Sequence, residues 1–486
     1  MKRLHLHLHA IALVAPLALA ACSVAPVYQR PDAPVSAGYK EAPVAGGATW
    51  FPAAPADAID RGDWWRRFDD PELNRLAAQV DAANQTIAAS VASYRQAQAL
   101  VREARASYFP GVSLGVGAQR SGGGSSSTPS RGTSFDASLG ADWAPDFWGR
   151  VGSTVAAARA SEAGSAADLA AARLSAQGEM AIDYFSLREA DDEATLLTRT
   201  IEGYERALEI TKNRYTAGVV AKTDVLQAQT QLATTRASLA VVRANRARYE
   251  HAIAVLAGQA PGDFTIAAAS WNPVVPAIPL GVPSALLQRR PDIASAERQV
   301  AAANAQIGVQ RAAYFPSLTL SASLGNAGSL IGDLFRVSNA LWSVGASVAQ
   351  TVFDAGATSA RVAAAQASRD EATARYRQTV LAAFQGVEDQ LANARAQAEQ
   401  AELLRQASDA ADQTEQQVLN RYRAGQLGYT DVVSAQASAL AARRALVQVA
   451  VSRQITAISL IQALGGGWDA SVPVELTGSV RGDGSK

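Results

Sequence analysis

Ala106-Ser107-Tyr108-Phe109-Pro110 returns as Ala312-Ala313-Tyr314-Phe315-Pro316, and Asn213-Arg214-Tyr215-Thr216-Ala217-Gly218 returns as Asn420-Arg421-Tyr422-Arg423-Ala424-Gly425. The offsets are 206 (314 − 108) and 207 (420 − 213) residues. A unit this long is too large for a solenoid repeat and large enough to be half a domain. The chain therefore reads as one architecture built twice, with function expected between copies.

Each Tyr-Phe-Pro stretch opens a change of period. Val112, Leu114, Val116 and Ala118 alternate with Ser113, Gly115, Gly117 and Gln119. After a Gly/Ser-rich loop, Phe135, Ala137, Leu139, Ala141 and Trp143 alternate with Asp136, Ser138, Gly140 and Asp142. The second repeat does the same at Leu318, Leu320, Ala322 and Leu324, and again at Trp342, Val344, Ala346 and Val348. Period two gives a strand one apolar and one polar face. Strands of about 10 residues match a tilted crossing of a bilayer. A soluble sheet with one wet face is the competing reading.

The remaining text predicts long helices. Leu197, Ile201, Tyr204, Leu208, Thr211 and Tyr215 recur at alternating steps of four and three, as do Leu239, Val242, Arg246, Tyr249, Ile253 and Leu256. Val433, Ala437, Leu440, Arg444, Val447, Val451, Gln454, Ile458 and Ile461 follow the same rule. Such spacing makes coiled-coil seams. Gly218 and Gly425 fall where one seam ends and the next begins, which predicts two hairpin tips. Helical text also begins at Asp69-Asp70-Pro71-Glu72 and is expected to run unbroken to about Ser107.

The N-terminus predicts export. Met1-Lys2-Arg3 is basic, Ala10 to Ala20 is a short apolar run, and Leu19-Ala20-Ala21-Cys22 places small residues before a cysteine. That pattern is a secretory signal with a lipoprotein cleavage site, so Cys22 is the expected lipidation site. Ser23 at the next position implies sorting to the outer membrane. Cys22 is the only cysteine, which excludes a disulfide within the chain. Three of the four histidines, His5, His7 and His9, lie in the leader. The mature chain thus offers no Cys/His metal cluster, no Ser/His or Cys/His nucleophile and no phosphate-binding glycine loop, and no enzyme activity, metal or cofactor is expected. With 44 basic and 44 acidic side chains there is no electrostatic footprint for nucleic acid. No apolar run of about 18 residues is apparent after Cys22, so a membrane crossing is expected to be made by strands.

Four strands cannot close a barrel, since the smallest single-chain membrane barrels have about eight. An open sheet in lipid leaves edge N–H and C=O groups unpaired, at several kcal/mol each. Several chains must then share one barrel. Three copies give twelve strands; two give eight, a width that side chains fill.

The text Trp64-Trp65-Arg66-Arg67-Phe68-Asp69-Asp70-Pro71-Glu72-Leu73 and Arg289-Arg290-Pro291-Asp292-Ile293 with Ala296-Glu297-Arg298, joined to the two Tyr-Phe-Pro entries and the paired tip motifs, resembles a known family. It is similar to the outer membrane factors, TolC-like exit ducts, and in particular to the lipoprotein branch (NodT/OprM-like) serving resistance–nodulation–division efflux pumps. The resemblance spans nearly the whole mature chain. It implies a mainly α chain with a small membrane β-barrel: a homotrimer with a twelve-strand barrel and a periplasmic α-barrel of coiled-coil hairpins. It implies docking to a periplasmic adaptor and an inner-membrane pump, with Gly218 and Gly425 at the docking tips. By motif position, Asp224 and Tyr422 resemble partners in a polar link that closes the periplasmic gate, and Asp431 resembles a member of an acidic constriction ring. Two positions depart from some members: Ser434 replaces a second acid and Leu427 replaces an arginine. Asp224 and Asp431 also stand where acids cap a helix N-terminus.

The expected organisation is a signal peptide at 1–21, an extended arm at 22–62, a first repeat at 63–283 and a second at 284–467, with a tail at 468–486. The first repeat holds a helix, a β-hairpin at about 109–146, a helical hairpin at about 150–256 and a connector. The second holds a helix, a β-hairpin at about 315–351 and a helical hairpin at about 354–464. The function these features imply is a passive outer-membrane exit duct for drugs or other small toxic compounds. The alternatives are the outlet of a type I protein secretion system and, in a different class, a structural trimeric coiled-coil lipoprotein.

Overall fold

The computed structural model describes residues 24–36, 38–41, 62–122, 132–271, 273–278 and 289–466. Cys22, the leader at 1–21, arm residues 42–61 and the tail at 468–486 lie outside the described residues. The chain forms two compact units. One draws on residues up to 33, on 92–166 and on 295–378; the other on 34–91, on 167–294 and on residues from 379 onward.

Among the described residues the duplication extends to element lengths. Helices α2 (Gln85–Ala106) and α5 (Pro291–Ala312) both have 22 residues. Helices α3 (Arg150–Thr216) and α6 (Ala357–Arg423) both have 67, and α4 (Lys222–Leu256) and α7 (Tyr429–Ala463) both have 35. Strands β1 (Gly111–Ser121) and β2 (Gly132–Trp143) follow α2, and β3 (Ser317–Gly328) and β4 (Ala340–Ala349) follow α5.

Helix α1 (Pro71–Ala83) precedes the first repeat's α2. The unbroken helix expected to Ser107 is in fact split at Asn84, whose backbone is extended (φ −65°, ψ 127°). Asn84 Oδ1 accepts from Ile87 N–H at 3.0 Å and so caps α2, while its Nδ2 donates to Leu256 O at 2.9 Å. The break thus exchanges one turn of helix for a tie to the end of α4. Gly258, at φ +69°, lies so close that a Cβ there would stand 2.3 Å from Ala83 O.

In the first unit the four strands form one antiparallel sheet in the order β1-β2-β3-β4, so the two hairpins pair across the repeat boundary. The register sets Val112, Ala141, Ala322 and Val344 in one row and Leu114, Leu139, Leu324 and Trp342 in another. Between them runs a row of Ser113, Gly140, Ser323 and Ser343, in which the last two hydroxyls are 2.9 Å apart. Alternation keeps each kind of row on one face. The strap before the repeats is extended here: Pro26 O accepts from Asn304 Nδ2 at 3.0 Å, and Tyr28 hydrogen-bonds to Glu297.

The second unit holds the apolar cores. Trp64, Trp65 and Phe68 pack with Leu73, Leu76, Val80, Tyr184, Phe185 and Ile253, so the Trp-Trp-Arg-Arg-Phe text is core rather than site. Asp70 caps α1 by accepting from Glu72 and Leu73 N–H at 2.9 and 3.1 Å, and it also accepts from the Tyr184 hydroxyl at 2.7 Å. Buried Arg188 donates to Tyr184 Oη and Asp191 Oδ2, and Arg246 reaches Asp191 Oδ1 at 2.6 Å. A separate core follows the hairpins towards their tips: Leu197, Ile201, Tyr204 and Leu208 with Leu232, Leu239, Val242, Tyr422, Tyr429 and Val432.

One seam expectation and one membrane-span expectation change. Near the tip of α7 the fully covered residues are Val432, Gln436 and Ala439, one position before Val433, Ala437 and Leu440. An alanine-rich helix carries apolar residues on several faces, and the packed partner decides which is covered. Helix α7 is also long and apolar enough to cross a membrane by length and composition, contrary to the sequence reading. Val451, Ala457, Ile458 and Ile461 on that helix lie in the core with α1 and α3.

Candidate functional site: the exposed sheet and the hairpin tips

An apolar sheet face needs a cover, and this one has none among the described residues. Val112, Leu114, Val116, Leu324, Trp342 and Val344 are all more than half exposed. They form a contiguous patch of the kind that marks a membrane or protein interface. The edges β1 and β4 present unpaired N–H and C=O groups. Because the sheet is antiparallel, the starts of β1 and β3 and the ends of β2 and β4 share one end. Exposed Tyr108, Phe109, Trp143, Phe147, Tyr314, Phe315 and Phe353 gather there. Trp148 stacks on Phe315 at 4.7 Å and donates to Pro316 O at 2.7 Å. Aromatic girdles of this sort ring membrane barrels at the lipid–water boundary. The opposite face carries Asp136, Ser138, Asp142, Ser321 and Ser343, as a water-facing wall requires.

The tips are built alike. Gly218 and Gly425 sit at φ +73° and +74°, where a side chain is strained. Val219 N–H reaches Arg214 O at 2.8 Å and Gln426 N–H reaches Arg421 O at 2.9 Å, so both helices end in the same six-to-one closure. Asp224 and Asp431 occupy the first turns of α4 and α7. There they complement the positive helix terminus. Asp224 is half-buried and Asp431 exposed.

The residues assigned to the gate by motif position are not joined as expected. Tyr422 is buried in the tip core, and its hydroxyl has no hydrogen-bond partner among the described residues. The Asp224–Tyr422 hydrogen bond is therefore not formed within the chain. Instead the Arg214 guanidinium lies over the Tyr422 ring, 4.8 Å from its centroid, and the Tyr429 ring packs beside it at 5.6 Å. Burial, with Tyr422 nearby and Asp224 further off, pushes the Tyr429 phenol up to about 12. Thr430 Oγ1 donates to Gln227 Oε1 at 3.3 Å, a second link between the hairpins. Sequence reasoning missed Arg214, Tyr429 and this pair. The repeated Asn-Arg-Tyr text was the available signal, but it does not say which arginine meets which tyrosine.

The family model for outer membrane efflux proteins matches residues 76–259 and 282–466, once per repeat. The chain belongs to the outer membrane efflux protein family. It is 30% identical over 469 residues to the probable efflux pump outer membrane protein SepC of Pseudomonas putida, covering 95% of this chain and 97% of that one. It is 31% identical over 435 residues to the pyoverdine export outer membrane protein OpmQ of Pseudomonas aeruginosa, covering 87% and 90%. Among solved structures, the outer-membrane channel OprN superposes with a TM-score of 0.80 at 31% identity, covering 92% of this chain and all of that one. The membership makes the chain an outer-membrane efflux component, and its family and relatives are channel proteins. The family explains the bare sheet face and the duplicated hairpins, which a purely structural coiled-coil lipoprotein leaves without a role.

Proposed function

We propose that three copies of this chain close a twelve-strand barrel in the outer membrane and form a passive exit duct for small toxic compounds, the outlet of a tripartite pump. The observation that carries this reading is the four-stranded sheet with one predominantly apolar face, uncovered among the described residues, and two open edges. In lipid the apolar rows face acyl chains, the Ser/Gly/Asp rows face water, and β1 of one chain pairs with β4 of the next. The duct performs no chemistry. A periplasmic adaptor and an inner-membrane pump supply cargo at the tips marked by Gly218 and Gly425, and the pump selects it. Acylation of Cys22 anchors the chain. Val24 N–H donates to Trp148 O at 3.5 Å at the aromatic end of the sheet, which supports this anchoring. The tip region with Asp224, Tyr422 and Asp431 is the gate: three Asp431 carboxylates around a narrow axis repel one another and attract cations.

Reconstitution of the purified lipoprotein into planar bilayers tests the proposal. Discrete single-channel conductance, lowered in cation preference by Asp431→Asn, is the expected result. A protein that inserts without conducting refutes the duct.

A further inference from the structure

The duplicated Asn-Arg-Tyr motif is used unevenly within one chain. Arg214 is half-buried and covers Tyr422, which is buried. Its counterparts are the reverse: Arg421 and Tyr215 are both exposed, and Tyr215 is 44% exposed. Neither Arg214 nor Arg421 makes a side-chain ion pair among the described residues. Yet the two tips match in helix length, glycine conformation and six-to-one closure. The helices flanking them have 67 and 35 residues in each repeat, and both glycines sit at nearly the same φ. Equivalent tips that make one Arg–Tyr contact inside the chain leave an equivalent donor and acceptor unused.

We infer that the unused pair is completed by a second copy of the chain: Arg421 of one protomer lies over Tyr215 of its neighbour, as Arg214 lies over Tyr422 within each. The inference rests on the channel reading above and assigns the tip lock to ring faces. Hairpins then alternate around the axis, first repeat to second and second to first, with the same pairing at every junction. A guanidinium over an aromatic face is held by the ring quadrupole, and the hydroxyl contributes nothing to it. The contact therefore does not need the Tyr422 hydroxyl, which has no partner among the described residues. It also explains how a tip can be held with Leu427 at the position where an arginine was expected. The pairing is weak enough to be broken when a docking partner favours the open state.

The test uses the full acylated chain, in which Cys22 is the only cysteine and is blocked by lipid. Arg421→Cys with Tyr215→Cys, treated with a short bis-maleimide, is expected to give dimer and trimer bands on denaturing gels. Arg214→Cys with Tyr422→Cys is expected to cross-link inside the chain and run as a monomer. In bilayers, Arg214→Ala is expected to raise open probability at least about two- to five-fold for each Arg–Tyr pair removed, the lower range for a cation–π interaction. Tyr422→Phe, which keeps the ring, is expected to raise open probability less than Arg214→Ala does. Monomer bands from Arg421→Cys with Tyr215→Cys in a protein that still trimerises and conducts overturn the inference while sparing the channel. Tyr422→Phe opening the pore as far as Arg214→Ala overturns the ring-face assignment. A chain that neither trimerises nor conducts overturns both readings.

Discussion

Asp70 serves two elements at once, as the cap of α1 and the acceptor of the Tyr184 hydroxyl. Asp70→Ala removes the cap and orphans a buried phenol, which together cost about 3 kcal/mol. Asp70→Asn keeps the Oδ1 cap but puts an NH2 donor where Oδ2 accepted from the Tyr184 hydroxyl, so it is expected to cost less than Asp70→Ala; melting temperatures of the detergent-solubilised protein order the two. The cap was legible in Asp-Asp-Pro-Glu, whereas the bond to Tyr184, more than a hundred residues on, was not, because only the fold brings the two together. Glu189 illustrates a different residue-scale effect. Burial, with Glu193 one turn on, pushes its carboxyl up to about 7. Glu193 is itself held by Arg444 at 2.5 Å, so it offers Glu189 a charge and no partner. The folded state therefore holds the proton more tightly than the unfolded state. Stability from this group is highest below the ordinary glutamate range and declines as pH rises towards 7. Glu189→Gln is expected to raise the melting temperature at about pH 8 and leave it unchanged at about pH 4. A rise of equal size at both values would exclude the ionised carboxylate as the cause.

Strands and helices were legible to different degrees. The strand faces could be read directly, because period two assigns each residue a side, and the register then put Leu114, Leu139, Leu324 and Trp342 in one row. The pairing of β2 with β3 was not visible, since nothing local in either hairpin names its neighbour. Helix extents followed from seams and glycines, but the break at Asn84 carries no Gly or Pro and depends on a carbonyl at the far end of α4. The tip seam of α7 slipped by one residue for a similar reason: alanine fits either face. The sheet makes the sharpest element-scale prediction. Val344→Arg puts a charge on the lipid side and costs about 2–4 kcal/mol near the bilayer midplane. It is expected to reduce the heat-modifiable, membrane-inserted fraction. Ser321→Arg lies on the other face and is expected to insert normally while shifting ion preference. Equal insertion of both variants would contradict the assignment of the two faces.

For the whole molecule, the duplication and the shortage of strands were both present in the text, and together they demanded partners. Matching helix lengths in the two repeats and a single four-stranded sheet extend that reasoning into three dimensions. The tip pairings were beyond it, because a repeated motif fixes what is present and leaves open which copies meet. A protomer with two bare sheet edges has no stable place in lipid by itself. The most direct test is the mass of the purified, acylated protein in detergent by light scattering with the detergent contribution subtracted. Three chains per particle is the predicted result, and a particle of one chain that remains folded and membrane-inserted would contradict the account.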